Sequence, residues 1–224
     1  MEGVNPQVVF YIFGLPIRDT VVSTWVMMAL LVLLAIIIGK RQPVALELLV
    51  DFLHDLISSV IGRPAGPFLP FLGALAIFIA VANIIGVVPF LTTPTSDINT
   101  PLALALTVFI SVHYFGVRAK GVTRYFKDMV TPIFVLPLEI IGQLTRTLSL
   151  TMRLFGNVVS IELIIVIIFA LAPLFVSLPL AGFGMFTGML QAYIFTVLAA
   201  VYIGAGLEAS EPVSQTKSED DRKE

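Results

Sequence analysis

Apolar positions run almost unbroken over residues 21–39, 67–95, 98–117, 129–138 and 163–207, and most charged residues fall between these runs. A helix of about 20 residues crosses a hydrocarbon core of about 30 Å. The pattern therefore predicts an all-α membrane protein with about five transmembrane helices, the last run being broken around Pro173 and Pro179. Lys40 and Arg41 close the first run, and Arg18 before it is offset by Asp19. A secretory signal carries its positive charge ahead of its apolar core, so this segment reads as a membrane span.

Between the first two spans, Val44–Ile61 has a different period. Glu47, Asp51, Asp55 and Ser58 recur at helical spacing opposite Leu49, Phe52, Leu53, Leu56 and Val60, which predicts an amphipathic helix at the membrane interface. Its acidic polar face disfavours anionic lipid and suits packing against another protein. His54, without a second histidine on this helix, reads as a solvated interfacial side chain and not as a metal ligand. Residues 1–207 form one membrane domain in this reading. The polar tail, residues 208–224, is charged, lacks aromatics and is expected to be disordered.

Composition narrows the function. Only 12% of the 224 residues are charged, about half of what a soluble domain carries, and 58% are hydrophobic. A soluble enzyme is excluded, and a net charge of -2 offers no footprint for nucleic acid. Cysteine is absent, which excludes disulfides and thiolate metal sites. Basic residues are retained on the cytoplasmic side of membranes. An external N-terminus places Lys40, Arg41, Arg63, Arg118, Lys120, Arg124, Lys127, Lys217, Arg222 and Lys223 inside and only Arg18 outside. N-out and C-in follows.

The chemistry concentrates in residues 137–172, where Glu139, Arg146, Arg153 and Glu162 interrupt an apolar helical pattern. An arginine near the bilayer centre costs about 2.5–3.5 kcal/mol on insertion scales, so such residues face protein or water and mark pathways. Arg146 lies one heptad from Glu139 and is explained by an internal ion pair or a snorkelling side chain. Arg153 is deeper. Gly142, Ser149 and Gly156 follow at seven-residue intervals, with Arg153 and Ser160 on the same stripe. Small residues let another helix approach closely, so this guanidinium is presented to a partner surface.

At about 100° and 1.5 Å per residue, Glu162 falls on the opposite face from Arg153, roughly 13 Å further on, and Glu139 lies roughly 21 Å the other way. That is the layout of two offset aqueous half-paths separated by a fixed positive charge. Gln191, on the last apolar segment with Gly184, Gly188, Phe195 and Ala199, suits bracing Arg153, lining a water path or gluing helices together.

SLTMRLFGNVVSIE (149–162), PTSDINTPLALALTVF (94–109) and LQAYIFTVLAAVYI (190–203) together resemble subunit a of the F-type ATP synthase, over roughly residues 43–204. The resemblance implies a stator subunit, not itself an enzyme, whose last two helices are long, tilted and curved around a rotating ring of c subunits. It implies that Arg153 is the essential arginine. Glu162, with Asp97 and Asn99 near the external entrance, would belong to an outward half-channel, Glu139, Ser149 and Asn157 to an inward one, and Gln191 would face the arginine. The implied partners are the c-ring, peripheral-stalk b subunits and the rest of the synthase, in a lipid bilayer that is an energy-coupling, bacterial plasma membrane. Protons are the implied ion, with sodium coupling open. No cofactor, metal or nucleotide site is expected, and no GxxxxGK[ST] loop occurs. Where many relatives supply a histidine or second acid near the outward carboxylate, this chain has Ile161 and Gly184; its histidines are His54 and His113.

A self-contained secondary transporter would need its own cavity and paired broken helices, and no such pairing is visible. An intramembrane hydrolase lacks a nucleophile–base arrangement at membrane depth, and a purely structural subunit leaves Arg153 unexplained.

Overall fold

The computed structural model describes residues 8–12, 15–41, 44–86, 93–123, 125, 136–171 and 177–208. Its body is helical, as the hydropathy pattern requires. α1 (Asp19–Arg41), α2 (Val44–Ile61), α3 (Leu69–Ile85), α4 (Asn99–Lys120), α5 (Leu136–Leu171) and α6 (Ser177–Glu208) follow in order, with a 3-10 turn at Pro94–Ser96 before α4. α1, α4, α5 and α6 are long and apolar enough to cross a membrane, and α3 is a shorter apolar helix of 17 residues.

One element was not anticipated and two expectations change. A small antiparallel hairpin, β1 (Val8–Ile12) and β2 (Leu15–Arg18), precedes α1, with Val8 opposite Arg18 and Ile12 opposite Leu15. Pro179 does not break the last run: it sits in the first turn of α6, where its missing N–H is an orphan in any case. Residues 136–138 open α5 instead of closing a separate span, while residues 126–135, Pro173 and the tail from 209 onward lie outside the described residues. At 1.5 Å per residue α5 is about 54 Å long and α6 about 48 Å, so both exceed the hydrocarbon thickness and need tilt to stay within it.

α6 is the hub, packing against α2, α3, α4 and α5. Phe195, Ala199 and Ile203 of α6, Ile57 of α2, Leu72 and Ile79 of α3, Ala105 of α4 and Leu154 of α5 are fully buried in one cluster. Apolar transfer gives little drive between helices in lipid, so close packing has to hold them, and small residues on α6 permit it. A side chain at Gly188 would stand 2.7 Å from Cβ of Asn83, and one at Gly206 3.0 Å from Val112. α2 buries Leu53, Ile57 and Ile61, spaced at four residues, and leaves Glu47, Asp51, His54 and Asp55 exposed. Gly62, at φ +69, ends it in the left-handed conformation that a glycine adopts freely. α1 buries Met27 against Ala82 and Ile85 of α3 and exposes Trp25, Val32, Leu33 and Ile36, as a lipid-facing helix does.

Gly188→Ala should therefore separate α6 from α3 and cost about 1–3 kcal/mol, the usual range for overpacking. Thermal unfolding in detergent should show a lowered midpoint. Gly156→Ala, with nothing within 4 Å of the added methyl, should leave that midpoint undiminished.

Candidate functional site

α5 turns Thr147, Leu150, Thr151, Leu154 and Val158 inward at spacings of three and four. The threonines satisfy their hydroxyls on their own helix, Thr147 Oγ1 to Gln143 O at 3.0 Å and Thr151 Oγ1 to Thr147 O at 2.9 Å, so this face closes without polar loose ends. Arg153 precedes Leu154 by one residue, about 100° around the helix, and is exposed together with Ser149 and Ser160. Nothing stands within 4 Å of a Cβ built at Gly142 or Gly156. Among the described residues no carboxylate pairs with Arg153 and no acceptor hydrogen-bonds to it. The small-residue stripe is thus uncovered by the described helices of this chain.

Arg146 behaves differently. Its guanidinium carbon lies 5.5 Å over the ring centroid of Tyr202 on α6, a cation–π contact that keeps the charge at the protein surface. The expected pairing with Glu139 is not among the ion pairs of the described residues; Glu139 Oε1 instead accepts from Gln143 Nε2 at 3.1 Å.

Glu162 lines a cavity of about 50 Å³ with Asn83, Thr93, Asn157, Gly184 and Gly188, and Arg153 is not among its lining residues. A water needs roughly 10–15 Å³ of such volume, so the space admits a few waters. Asn83 Nδ2 donates to Gly188 O at 3.0 Å, and Asn83 Oδ1 accepts from Thr95 Oγ1 at 3.0 Å, which fixes the amide at the wall. Glycine makes the space. A side chain at Gly86 would collide with Thr93, and one at Gly184 would stand 3.0 Å from Ile161. Ile161 and Gly184 therefore face each other, so the position where a titratable neighbour was sought is filled by an isoleucine methyl against a bare backbone.

Asn157, which the resemblance grouped with Glu139 and Ser149, lines the same cavity as Glu162. Ser149 lies on the Arg153 stripe, and Glu139 is half-buried at the opposite end of α5. Gln191 is buried, and among the described residues its amide Nε2 has no hydrogen-bond partner and no bond joins it to Arg153.

Asp97 and Asn99 sit beside the 3-10 turn but do not line the Glu162 cavity. Asp97 Oδ2 accepts from Arg18 Nη1 at 2.8 Å and, more loosely, from Thr20 Oγ1 at 3.4 Å. Its Oδ1 accepts from the backbone and side chain of Asn99 at 3.1 and 2.8 Å. The carboxylate is buried while Arg18 is partly exposed. Burial opposes the charge, but these donors and the Arg18 guanidinium outweigh it and hold the carboxyl below its ordinary range. Asp97 thus locks the hairpin and the start of α1 to the start of α4. Sequence reasoning missed Asn83, Thr93 and Thr95; a single amide inside the otherwise apolar run of residues 67–95 was the available signal.

Two adjoining grooves run between α4 and α5 toward the Glu139 end. Both include Phe109, Gln143 and Thr147; one adds His113, and the other adds Arg146 and Tyr202.

Residues 21–204 match the family model described as the ATP synthase A chain. The chain is 49% identical over 207 residues to ATP synthase subunit a 2 of Bradyrhizobium sp., covering 88% of this chain and 92% of that protein. It is 38% identical over 224 residues to ATP synthase subunit a 2 of Acaryochloris marina, covering 95% and 96%. Against ATP synthase subunit a of Legionella pneumophila it is 37% identical over 226 residues, covering 97% and 98%.

Asp97→Ala should raise amide exchange in β2 and the first turn of α1 about tenfold, equivalent to about 1.4 kcal/mol. Because the folded carboxyl titrates below its ordinary value of 3.8, the lock holds above that pH and weakens as pH falls through the lowered value. The variant should lose this acid dependence.

Proposed function

The chain belongs to the ATP synthase A chain family, and on that premise we propose that it is the ion-conducting stator subunit of a rotary ATP synthase. It provides two half-channels for protons that meet a ring of c subunits on either side of Arg153. The observation that carries the reading is Arg153 itself, exposed on a stripe of small residues, with no described partner, while Glu162 lines a separate cavity and Glu139 lies at the far end of the helix.

A guanidinium keeps its charge when partly desolvated, whereas a lysine there could discharge. Facing the ring, Arg153 stabilises an ionised rotor carboxylate and bars a proton from crossing directly between the half-channels. The proton then travels around the ring through lipid as a neutral carboxyl. With the N-terminus outside and the C-terminus cytoplasmic, the proton enters past Glu162, where Asn157, Asn83 and Thr93 replace a titratable neighbour, and leaves past Glu139. Ser149 stands beside Arg153 on the ring-facing stripe, and Gln191 keeps an unused donor for water or the arginine. Asp97 and Asn99 act at the external end by holding the loop that carries Thr93. A membrane potential of 100 mV supplies about 2.3 kcal/mol per charge, and the resulting torque drives ATP synthesis in other subunits.

In the complete complex reconstituted into vesicles, Arg153→Ala should abolish proton-driven ATP synthesis while assembly persists. Normal coupled synthesis in that variant would falsify the role. Glu162→Gln should slow proton translocation, and a rate equal to the unaltered complex would remove Glu162 from the path.

A further inference from the structure

His113 has no part in the functional reading above, yet it occupies a constructed environment. It is half-buried on α4, and its Nδ1 lies 2.7 Å from the hydroxyl of Tyr125. Its ring stands edge-on to Phe109, with centroids 4.5 Å apart. A side chain at Gly116 would collide with the Tyr125 ring, so this glycine is what lets the tyrosine lie against α4 and reach the imidazole. His113 also lines the groove between α4 and α5 with Gln143, and Gln143 is the residue that donates to Glu139.

We propose that His113 is a proton relay on the Glu139 side of the path, with Tyr125 as its positioning residue. The inference rests on the stator reading and deepens it by adding the titratable group that hands protons between Glu139 and the cytoplasmic solvent. The neutral ring, with Nδ1–H donating to Tyr125, takes a proton arriving along α5 on Nε2, becomes imidazolium, and releases a proton from the same Nε2 to cytoplasmic water. One proton moves and the ring returns to its starting state.

The choice of partner suits this cycle. A backbone carbonyl would demand a proton on Nδ1, whereas a tyrosine hydroxyl donates to a bare Nδ1 and accepts from Nδ1–H. Tyr125 therefore holds the ring in place through either protonation state. Histidine is also the side chain whose ordinary titration falls between about pH 5 and 8. Among the described residues, the charged and titratable groups around it are few. Burial is the larger influence on both His113 and Tyr125, and Glu139 of α5 acts on each electrostatically as the lesser one. On its own helix, Arg118 Nη1 donates to the Tyr114 hydroxyl at 3.1 Å. Arg146 of α5 is turned onto Tyr202 of α6.

The test uses the complete synthase in proteoliposomes and measures ATP-driven proton pumping against pH on the cytoplasmic side. His113→Ala should reduce flux about a hundredfold, the low end of what a positioned proton-transfer group contributes, and flatten the pH profile. Imidazole added on that side should restore much of the flux. Because alanine also opens space beside Phe109, His113→Gln is measured in parallel; it fills the site but does not titrate, and it should show the same deficit. Tyr125→Phe should give a smaller deficit in the same direction. Flux and pH profile like the unaltered complex in either His113 variant overturn the relay, and so does a deficit in His113→Ala that imidazole leaves unchanged. Loss of synthesis in Arg153→Ala with ordinary flux in the His113 variants discards the relay alone; ordinary behaviour in all of them discards the stator reading as well.

Discussion

Hydrocarbon does not solvate a guanidinium, and arginine cannot escape by giving up its proton. A fixed charge on the middle of α5 must therefore be met by protein or water, and this chain's described residues supply neither an ion pair nor a hydrogen bond to Arg153. The rest of α5 is built around that demand. Glycine and serine flank the arginine where a bulky residue would hold a second surface away, and leucine and threonine take the face that packs inward.

The two charged arginines on this helix show how neighbours decide a charge's role. Arg146 has an aromatic ring beneath it and is tied to α6 through Tyr202, whereas Arg153, two turns on, is exposed on a stripe whose glycines have open space around them. Packing elsewhere serves the same division. Close approach of α6 to α3 at Gly188 shapes the Glu162 cavity and also supplies the carbonyl that anchors Asn83. Beside the start of α4 the Arg18–Asp97 pair ties segments 79 residues apart, which keeps the 3-10 turn against α5. One set of contacts thus holds the helices together and leaves a polar cavity open between them.

Much of this was legible in the sequence because the signals were periodic. Val44–Ile61 emerged with its observed bounds, since an acidic stripe opposite an apolar one has a single helical solution. The stripe of Gly142, Ser149, Arg153 and Gly156 was readable for the same reason. What escaped was non-periodic or long-range. The hairpin is too short to carry a pattern, and Pro179 reads as a break although the first turn of a helix tolerates it. Helix arithmetic gives a residue's height and angle but not which neighbour it meets. Asn157 accordingly lines the Glu162 cavity, Arg146 meets Tyr202 in place of Glu139, and Asp97 finds Arg18. Asn83 was a lone amide in an apolar run, informative only once Thr95 and the Gly188 carbonyl stood beside it.

The sequence contains no cysteine, so single thiols placed at Ser149→Cys and Ser160→Cys report contacts without background. The most direct measurement is oxidative cross-linking of these two variants in the assembled complex, with a thiol on the outer helix of the ring subunit. Coupling of both to the ring, at positions that bracket the rotor carboxylate, is the result the account predicts. No coupling to the ring from either position, with both thiols still open to a soluble maleimide, would show that the arginine stripe does not face the ring, and would contradict it.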